Sequence, residues 1–218
     1  MSTPSSPAPE LAKQLLEAAA RIRQLAQNGL VYAEIEYDRE RYDEILALSH
    51  RIAALVRDSG ASEKAISALF PLETNYVTPK VDVRAVVFNE RGELLMVHEK
   101  ADGRWALPGG WADVGYTPKE IARKEVKEET GYDVEPLELL AVDDQKSHPY
   151  PPALHYAYKM FIRCCLVGGS PRTAFDTLGC GFFAEDRLPP LSEERNLESQ
   201  IRRMFRHYHD PGLRPTCD

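Results

Sequence analysis

Between Thr117 and Gly131 the chain carries a full set of signals for starting and stopping a short helix. Thr117 is a good N-cap, Pro118 suits the first helical position, and Glu120 completes a T-x-x-E capping box. Gly131 supplies a left-handed C-terminal stop. On that helix Glu125, Glu128 and Glu129 fall within an arc of about 100°. Ala122 and Val126 lie to one side and are expected to pack down. Three carboxylates on one face suit a hard divalent cation. The competing reading is a solvated acidic face, because Lys124 lies four residues from both Glu120 and Glu128. Against it, Glu125 and Glu129 are like charges four apart, which costs a few tenths of a kcal/mol, roughly, unless something positive intervenes.

Leu107-Pro108-Gly109-Gly110 precedes this helix after an alternating run. Glycines admit positive φ and a close approach of ligand or metal to the backbone. Pro-Gly-Gly alone is an ordinary turn. In front of an acidic helix it becomes a loop that can lend a backbone carbonyl to the same cation.

These residues resemble the Nudix hydrolase signature, G-x5-E-x7-R-E-U-x-E-E-x-G-U, where U is bulky and apolar. Counting from Gly110, the chain matches at Glu125, Val126, Glu128, Glu129 and Gly131, with Tyr132 in the last position. Tyr116 stands where the family has its first Glu, and Lys124 where it has Arg. The stretch Trp105 to Pro118 is similar to a branch that tolerates both substitutions, carries a helical N-terminal domain and includes CDP-choline pyrophosphatases. The likeness extends to 75–100, to Leu188–Ser192 and to Arg195-Asn196. Many relatives carry acidic residues just before the equivalent of Phe182-Phe183, where this chain has Gly179, Cys180 and Gly181.

The formal net charge of −7 argues against a protein that coats nucleic acid. It leaves nucleotide substrates open, since a bound cation reverses the local field. The N-terminus lacks the basic and apolar regions of a signal peptide, and no apolar run is long enough to span a bilayer. Cys164, Cys165, Cys180 and Cys217 show no C-x-x-C spacing and read as free thiols in a reducing, cytoplasmic setting.

Along the chain, Glu10 to Gln27 reads as a helix with Leu11, Leu15, Ala18, Ile22 and Leu25 on one stripe, stopped by Asn28-Gly29. A second helix runs from Asp38 to about Val56, and a third from Ser62 to Phe70. These helices are too few to bury much alone, so they are expected to pack against the rest of the chain or a second copy, and with the resemblance a homodimer is expected. The boundary falls near residue 72, with 1–72 helical and 73–218 the catalytic domain. Strands are expected at Val81–Phe88, Leu94–Glu99, Leu137–Val142, Tyr156–Val167 and Phe182-Phe183. Ser192 is expected to cap a last helix, from Glu193 to about Tyr208. Mixed strands with helices on both sides predict a three-layer α/β/α sandwich, which is also what the resemblance implies.

Arg84 lies on an apolar strand face, either at a sheet edge with its charge in water or, as the resemblance favours, reaching a substrate or a catalytic carboxylate. Glu99 leaves its strand towards the loop. Trp111 and Tyr116 offer stacking faces for a base, and His148 offers a polar contact from a loop. The resemblance implies Mg²⁺ or Mn²⁺ held by Gly110, Glu125, Glu128 and Glu129, and hydrolysis of the pyrophosphate in a nucleoside diphosphate linked to a group X. CDP-choline is the first substrate expected, yielding CMP and phosphocholine. The alternatives are ADP-ribose or another such compound, 3′ trimming of RNA, or a nucleotide-sensing module without turnover.

Overall fold

The computed structural model describes residues 9–56, 76–151 and 156–218. The described residues fall into two compact units, 9–56 with 76–79 and 80–151 with 156–218. The helix expected at Ser62 to Phe70 lies outside the described residues.

The first unit is built on two helices, α1 (Pro9–Tyr32) and α2 (Glu36–Val56). Helix α1 does not stop at Asn28-Gly29. Gly29 instead permits close approach of α2, since a Cβ there would lie 2.3 Å from the Tyr42 ring. The Asn28 side chain accepts the Val77 N–H at 2.6 Å rather than ending the helix. The buried face of α1 also differs from the expected stripe. Ala19, Ala26 and Ala33 are buried, while Leu11 and Leu25 are about half exposed. A close helix pair selects small side chains, and Ala19 accordingly packs with Ala53 of α2 beside Leu16 and Ile52. Asp38 sits inside the first turn of α2 and pairs with Arg41 at 3.0 Å instead of capping.

The second unit is one mixed sheet between two helices. Its strands are β1 (Lys80–Phe88), β2 (Leu94–Glu99), β3 (Trp105–Ala106), β4 (Gly109–Trp111), β5 (Tyr132–Asp144), β6 (Ala157–Gly169), β7 (Thr177–Phe183) and β8 (Thr216–Cys217). The order is β3-β2-β1-β6-β5-β8, with β4 added to β1 and β7 to β2. Strands β1 and β6 run parallel along the whole of β1. Strands β1 and β2 pair only at their hairpin end, Phe88 opposite Leu94. Beyond it, β1 takes β4 as its neighbour at Asp82–Arg84, and β2 takes β3 and β7. The sheet therefore splits beside Arg84.

Period-2 alternation divides β1 between two cores. Val83, Ala85 and Val87 face helix α3 (Pro118–Thr130) through Ile121, Ala122 and Val126. Val86 and Phe88 face helix α4 (Glu198–His209) through Ile201, Met204 and Phe205. This is the expected three-layer sandwich. Helix α3 begins and ends as its sequence dictates. Thr117 and Glu120 form the reciprocal capping box, and Gly131 sits at φ 80° and donates its N–H to Lys127 O.

Three boundaries differ from expectation. Strand β5 starts at Tyr132, not Leu137, because a register shift between Pro136 and Glu138 absorbs the proline. Strand β7 starts at Thr177, well before Phe182. Helix α4 starts at Glu198, where the Gln200 side chain accepts the Leu197 N–H at 3.0 Å. Ser192 caps no helix: its carbonyl closes a turn onto the N–H groups of Arg195 and Asn196, and its hydroxyl donates to Asp102 at 2.6 Å.

Candidate active site

The loop from Leu107 to Gly110 is held from three sides. Ala85 N–H donates to Pro108 O at 2.8 Å, Arg84 Nη1 to Leu107 O at 3.2 Å, and Leu107 N–H to Asn196 Oδ1 at 2.9 Å. Gly109 lies opposite Arg84 at φ 145°. A Cβ on it would stand 2.0 Å from Val83 O, so the backbone contact itself demands glycine.

Helix α3 places its carboxylates over this loop. Glu129 is buried, and its Oε2 accepts the Gly109 N–H at 2.9 Å. The carboxylate of Glu125 lies over Gly110, about 3.5 Å from where a Cβ would be. Glu128 is more than half exposed, and Lys124 reaches it at 3.4 Å. Lys124 also reaches Glu125 at 3.6 Å and Asp113 at 3.3 Å. Its ammonium is held above the usual lysine range, first by the Asp113 hydrogen bond and then by the two glutamates. Lysine acts here as a single point charge shared among three carboxylates, where an arginine would fork onto one.

The three glutamates do not close into one tight triple. Lys124 draws Glu128 outward, while the Gly109 N–H holds Glu129 inward. Among the described residues, the one trio of acidic or histidine side chains with all ligand atoms within 4.8 Å is Asp143, His148 and Asp218. There His148 Nε2 meets Asp218 at 2.8 Å and Asp143 at 3.5 Å. The Asp143 charge is already met by Arg203 and by the Gln200 amide, which makes this group an ion-pair clasp over the C-terminal strand.

The electrostatics single out the α3 carboxylates instead. Burial pushes the Glu129 carboxyl up to about 8, with Glu125 and Glu99 adding to the rise and Arg84 opposing it. Burial also raises Glu125, Lys124 opposing and Glu128 adding. Desolvated carboxylates that repel one another gain most from a cation between them. The donors are all oxygens, which suits a hard ion such as Mg²⁺ better than a soft one. The residues present therefore fit such a metal.

Of the other candidates, Arg84 is buried and forks onto Asp82, with Nε to Oδ1 at 2.8 Å and Nη2 to Oδ2 at 3.2 Å. Its charge is felt by Glu129 and Glu99. Asp82 is neither a substrate nor one of the carboxylates expected to be catalytic. Glu99 is buried and paired with Arg195 Nε at 2.9 Å. Trp111 and Tyr116 are each about half exposed, at the end of β4 and just before α3. His148 belongs to the clasp described above.

Asp82, Lys159, Arg195 and Asn196 also stand around Arg84 and the glycine loop, none of them among the expected site residues. One signal was available. Asp82 and Arg84 share a face of β1, so the partner that Arg84 needs stands two residues before it. Lys159 falls on an apolar face of β6 in the same way, between Ala157 and Phe161.

The NUDIX domain model matches residues 78–207, and a model described as a UDP-X-like N-terminal oligomerisation domain matches residues 13–70. A Bacillus subtilis protein named "Putative ADP-ribose pyrophosphatase YjhB" is 45% identical over 93% of this chain and 96% of its own length. A solved ADP-ribose pyrophosphatase from Streptococcus suis is 39% identical with TM-score 0.58, over 65% of this chain and all of its own. A solved UDP-X diphosphatase is 28% identical with TM-score 0.60, over 95% of this chain and 99% of its own. With a buried Glu129 bound to the glycine loop, Glu125 beside it, and a domain match covering more than half of its length, the chain belongs to the Nudix hydrolases, as a pyrophosphatase.

Proposed function

We propose that the chain hydrolyses the pyrophosphate bond of a nucleoside diphosphate linked to a second group, with ADP-ribose as the first substrate. The observation that carries the reading is the desolvated Glu125–Glu129 pair over the Gly109-Gly110 loop. ADP-ribose takes precedence over CDP-choline because the similar proteins, along nearly the whole chain in one case, bear that name. The match to a UDP-X-like N-terminal domain favours breadth in the nucleotide, and CDP-choline remains the second reading on the likeness through Trp105 to Pro118.

In this reading Glu125, Glu128, Glu129 and the Gly110 carbonyl hold Mg²⁺ or Mn²⁺. Held there, such an ion would supply charge neutralisation of the diphosphate, polarisation of a phosphoryl oxygen and an activated water. Glu129 is fixed by Gly109 N–H, so its second oxygen keeps a set direction. Lys124 lies between Glu125 and Glu128 and offsets their mutual repulsion. One glutamate deprotonates or orients the attacking water. Trp111 and Tyr116 provide exposed rings for the base. Water adds to one phosphorus as the bridging P–O bond breaks, so ADP-ribose yields AMP and ribose 5-phosphate.

The exposed apolar residues of the helical unit, including Leu25, Leu48 and Leu55, fit an interface with a second copy. No helix among the described residues is long and apolar enough to cross a membrane.

The test is product release from ADP-ribose, CDP-choline, UDP-sugars and a 3′-recessed RNA, each with Mg²⁺ and with chelator. Metal-dependent AMP from ADP-ribose supports the reading. Metal-dependent CMP from CDP-choline alone moves the assignment to the second reading. Nucleotide binding without products would identify a sensing module.

A further inference from the structure

We propose that Asp82 and Lys159 are positioning residues for the cleavage site: together they aim Arg84 so that its guanidinium braces the loop beneath Glu129 and Glu125. The inference rests on the pyrophosphatase reading above and adds residues that the glycine loop and α3 do not contain.

The geometry starts on β1. Asp82 and Arg84 are two residues apart, so both side chains leave the same face. The Asp82 carboxylate takes Arg84 Nε and Nη2 on its two oxygens. A two-point fork fixes the plane of the guanidinium as well as its place. The remaining nitrogen, Nη1, is thereby directed at Leu107 O, 3.2 Å away. Leu107 opens the loop whose Gly109 N–H holds Glu129 and whose Gly110 lies under Glu125. Strand pairing reinforces the connection, because Arg84 is the register partner of Gly109.

Lys159 holds the other end. It is the register partner of Asp82 across the parallel β1–β6 pair, and its Nζ donates to Asp82 Oδ2 and to Arg195 O at 2.9 Å. It stands 5.1 Å from the centre of the Tyr150 ring, whose hydroxyl donates to Gln200 at 2.7 Å. Arg195 in turn pairs with Glu99. One carboxylate thus carries two cations, and Asp82, Arg84 and Lys159 are each less than a tenth exposed.

A buried triad of this kind is a poor device for stability alone. Apolar residues of similar volume usually do as well or better, because desolvating three charges is costly. Its aim explains it better. The Arg84 guanidinium places a positive charge beside a group of carboxylates that repel one another, and its fork on Asp82 holds that side chain in one orientation.

The experiment compares wild type with Asp82→Asn, Arg84→Lys, the double variant and Lys159→Met, using steady-state kinetics, Mn²⁺ binding followed by electron paramagnetic resonance, and thermal unfolding. Asp82→Asn keeps the shape and removes the fork. It is expected to lower kcat by about tenfold or more, with KM within about threefold, and to weaken Mn²⁺ binding about tenfold. Arg84→Lys keeps the charge without the fork and is expected to match it. The double variant is expected to be no worse than either single one, since both break the same link. Lys159→Met is expected to show the same kcat loss in smaller measure.

Losses that multiply in the double variant, or an Asp82→Asn enzyme with kcat within twofold of wild type, would overturn the proposal. If Asp82→Asn does not fold, Arg84→Lys and Lys159→Met decide it: unchanged kcat in both overturns it, and a kcat loss at unchanged KM in both supports it. Wild-type protein that neither binds Mn²⁺ nor turns over any nucleotide would sink the pyrophosphatase reading itself. Active wild type with indifferent variants would sink only the role of the triad.

Discussion

Gly109 donates its backbone N–H to Glu129 Oε2 at 2.9 Å, tying the glycine loop to the last turn of the acidic helix. The bond joins two elements twenty residues apart and fixes one carboxylate oxygen of the site. It forms only because the Gly109 backbone adopts φ 145° and presses against Val83 O.

Gly109→Ala should therefore cost both stability and activity. The new Cβ would meet Val83 O at 2.0 Å and Arg84 Cα at 2.9 Å, both backbone atoms that no rotamer change relieves. A loss of about 2–4 kcal/mol is expected from strain and overpacking. Denaturant unfolding measures it. A variant within 0.5 kcal/mol of wild type, roughly, would mean that the loop relaxes freely.

In the proposed reading, Glu129→Gln and Glu128→Gln should each reduce kcat by at least about a hundredfold, since each would remove a charged ligand for the metal. The two differ in what else they disturb. Glu129 is buried on Gly109, whereas Glu128 is more than half exposed beside Lys124. If Glu128→Gln stays within threefold of wild type, Glu128 is a surface partner of Lys124 and the ligand set is smaller.

The raised Glu129 carboxyl gives the stability a pH dependence whose sign is fixed. Its ordinary value is 4.5, and burial pushes it up to about 8 in the folded protein. Across that window the folded state binds a proton that the unfolded state has released. The stabilisation is full below about 4.5 and is lost as pH rises through about 8. In chelator, the Tm of wild type should fall relative to that of Glu129→Gln between about pH 5 and about pH 8. In the proposed reading Mg²⁺ would compete with that proton, so the Tm gain on adding Mg²⁺ should grow over the same range. Scanning calorimetry at several pH values reads both effects. A wild-type minus variant difference that is flat with pH would refute the assignment to Glu129.

What the sequence disclosed and what it hid follow from the range of each interaction. Helix α3 was legible to the residue because its caps are local: Thr117, Glu120 and Gly131 act within one turn of its ends. Strands β3, β4 and β8 are two or three residues long, too short to show alternation. The Asn28-Gly29 stop misled because Gly29 answers to Tyr42 on another helix, a contact no local pattern carries. Arg84 was visible as a charge on an apolar face. Lys159, 75 positions further on, meets Asp82 only through the parallel pairing of β1 with β6.

The helical unit supports a last prediction. Its two helices pack through alanines, with Ala19 against Ala53. Several larger apolar residues stay on the outside: Leu25 is 53% exposed, Leu48 43% and Leu55 76%. Such a face on a small unit fits an interaction surface, and in the proposed reading a second copy would meet it by two-fold pairing of the same patch. Leu48 and Leu55 are two turns apart on one side of α2. Replacing both with glutamate would bury two like charges in each half of a symmetric contact, which the contact cannot absorb. Wild type is expected to sediment as a dimer at micromolar concentration, and Leu48→Glu/Leu55→Glu as a monomer of unchanged helix content. Because neither residue packs inside the helix pair, circular dichroism should not distinguish the two proteins. A wild type that sediments as a monomer, or a double variant that still dimerises, would place the subunit contact elsewhere on the chain.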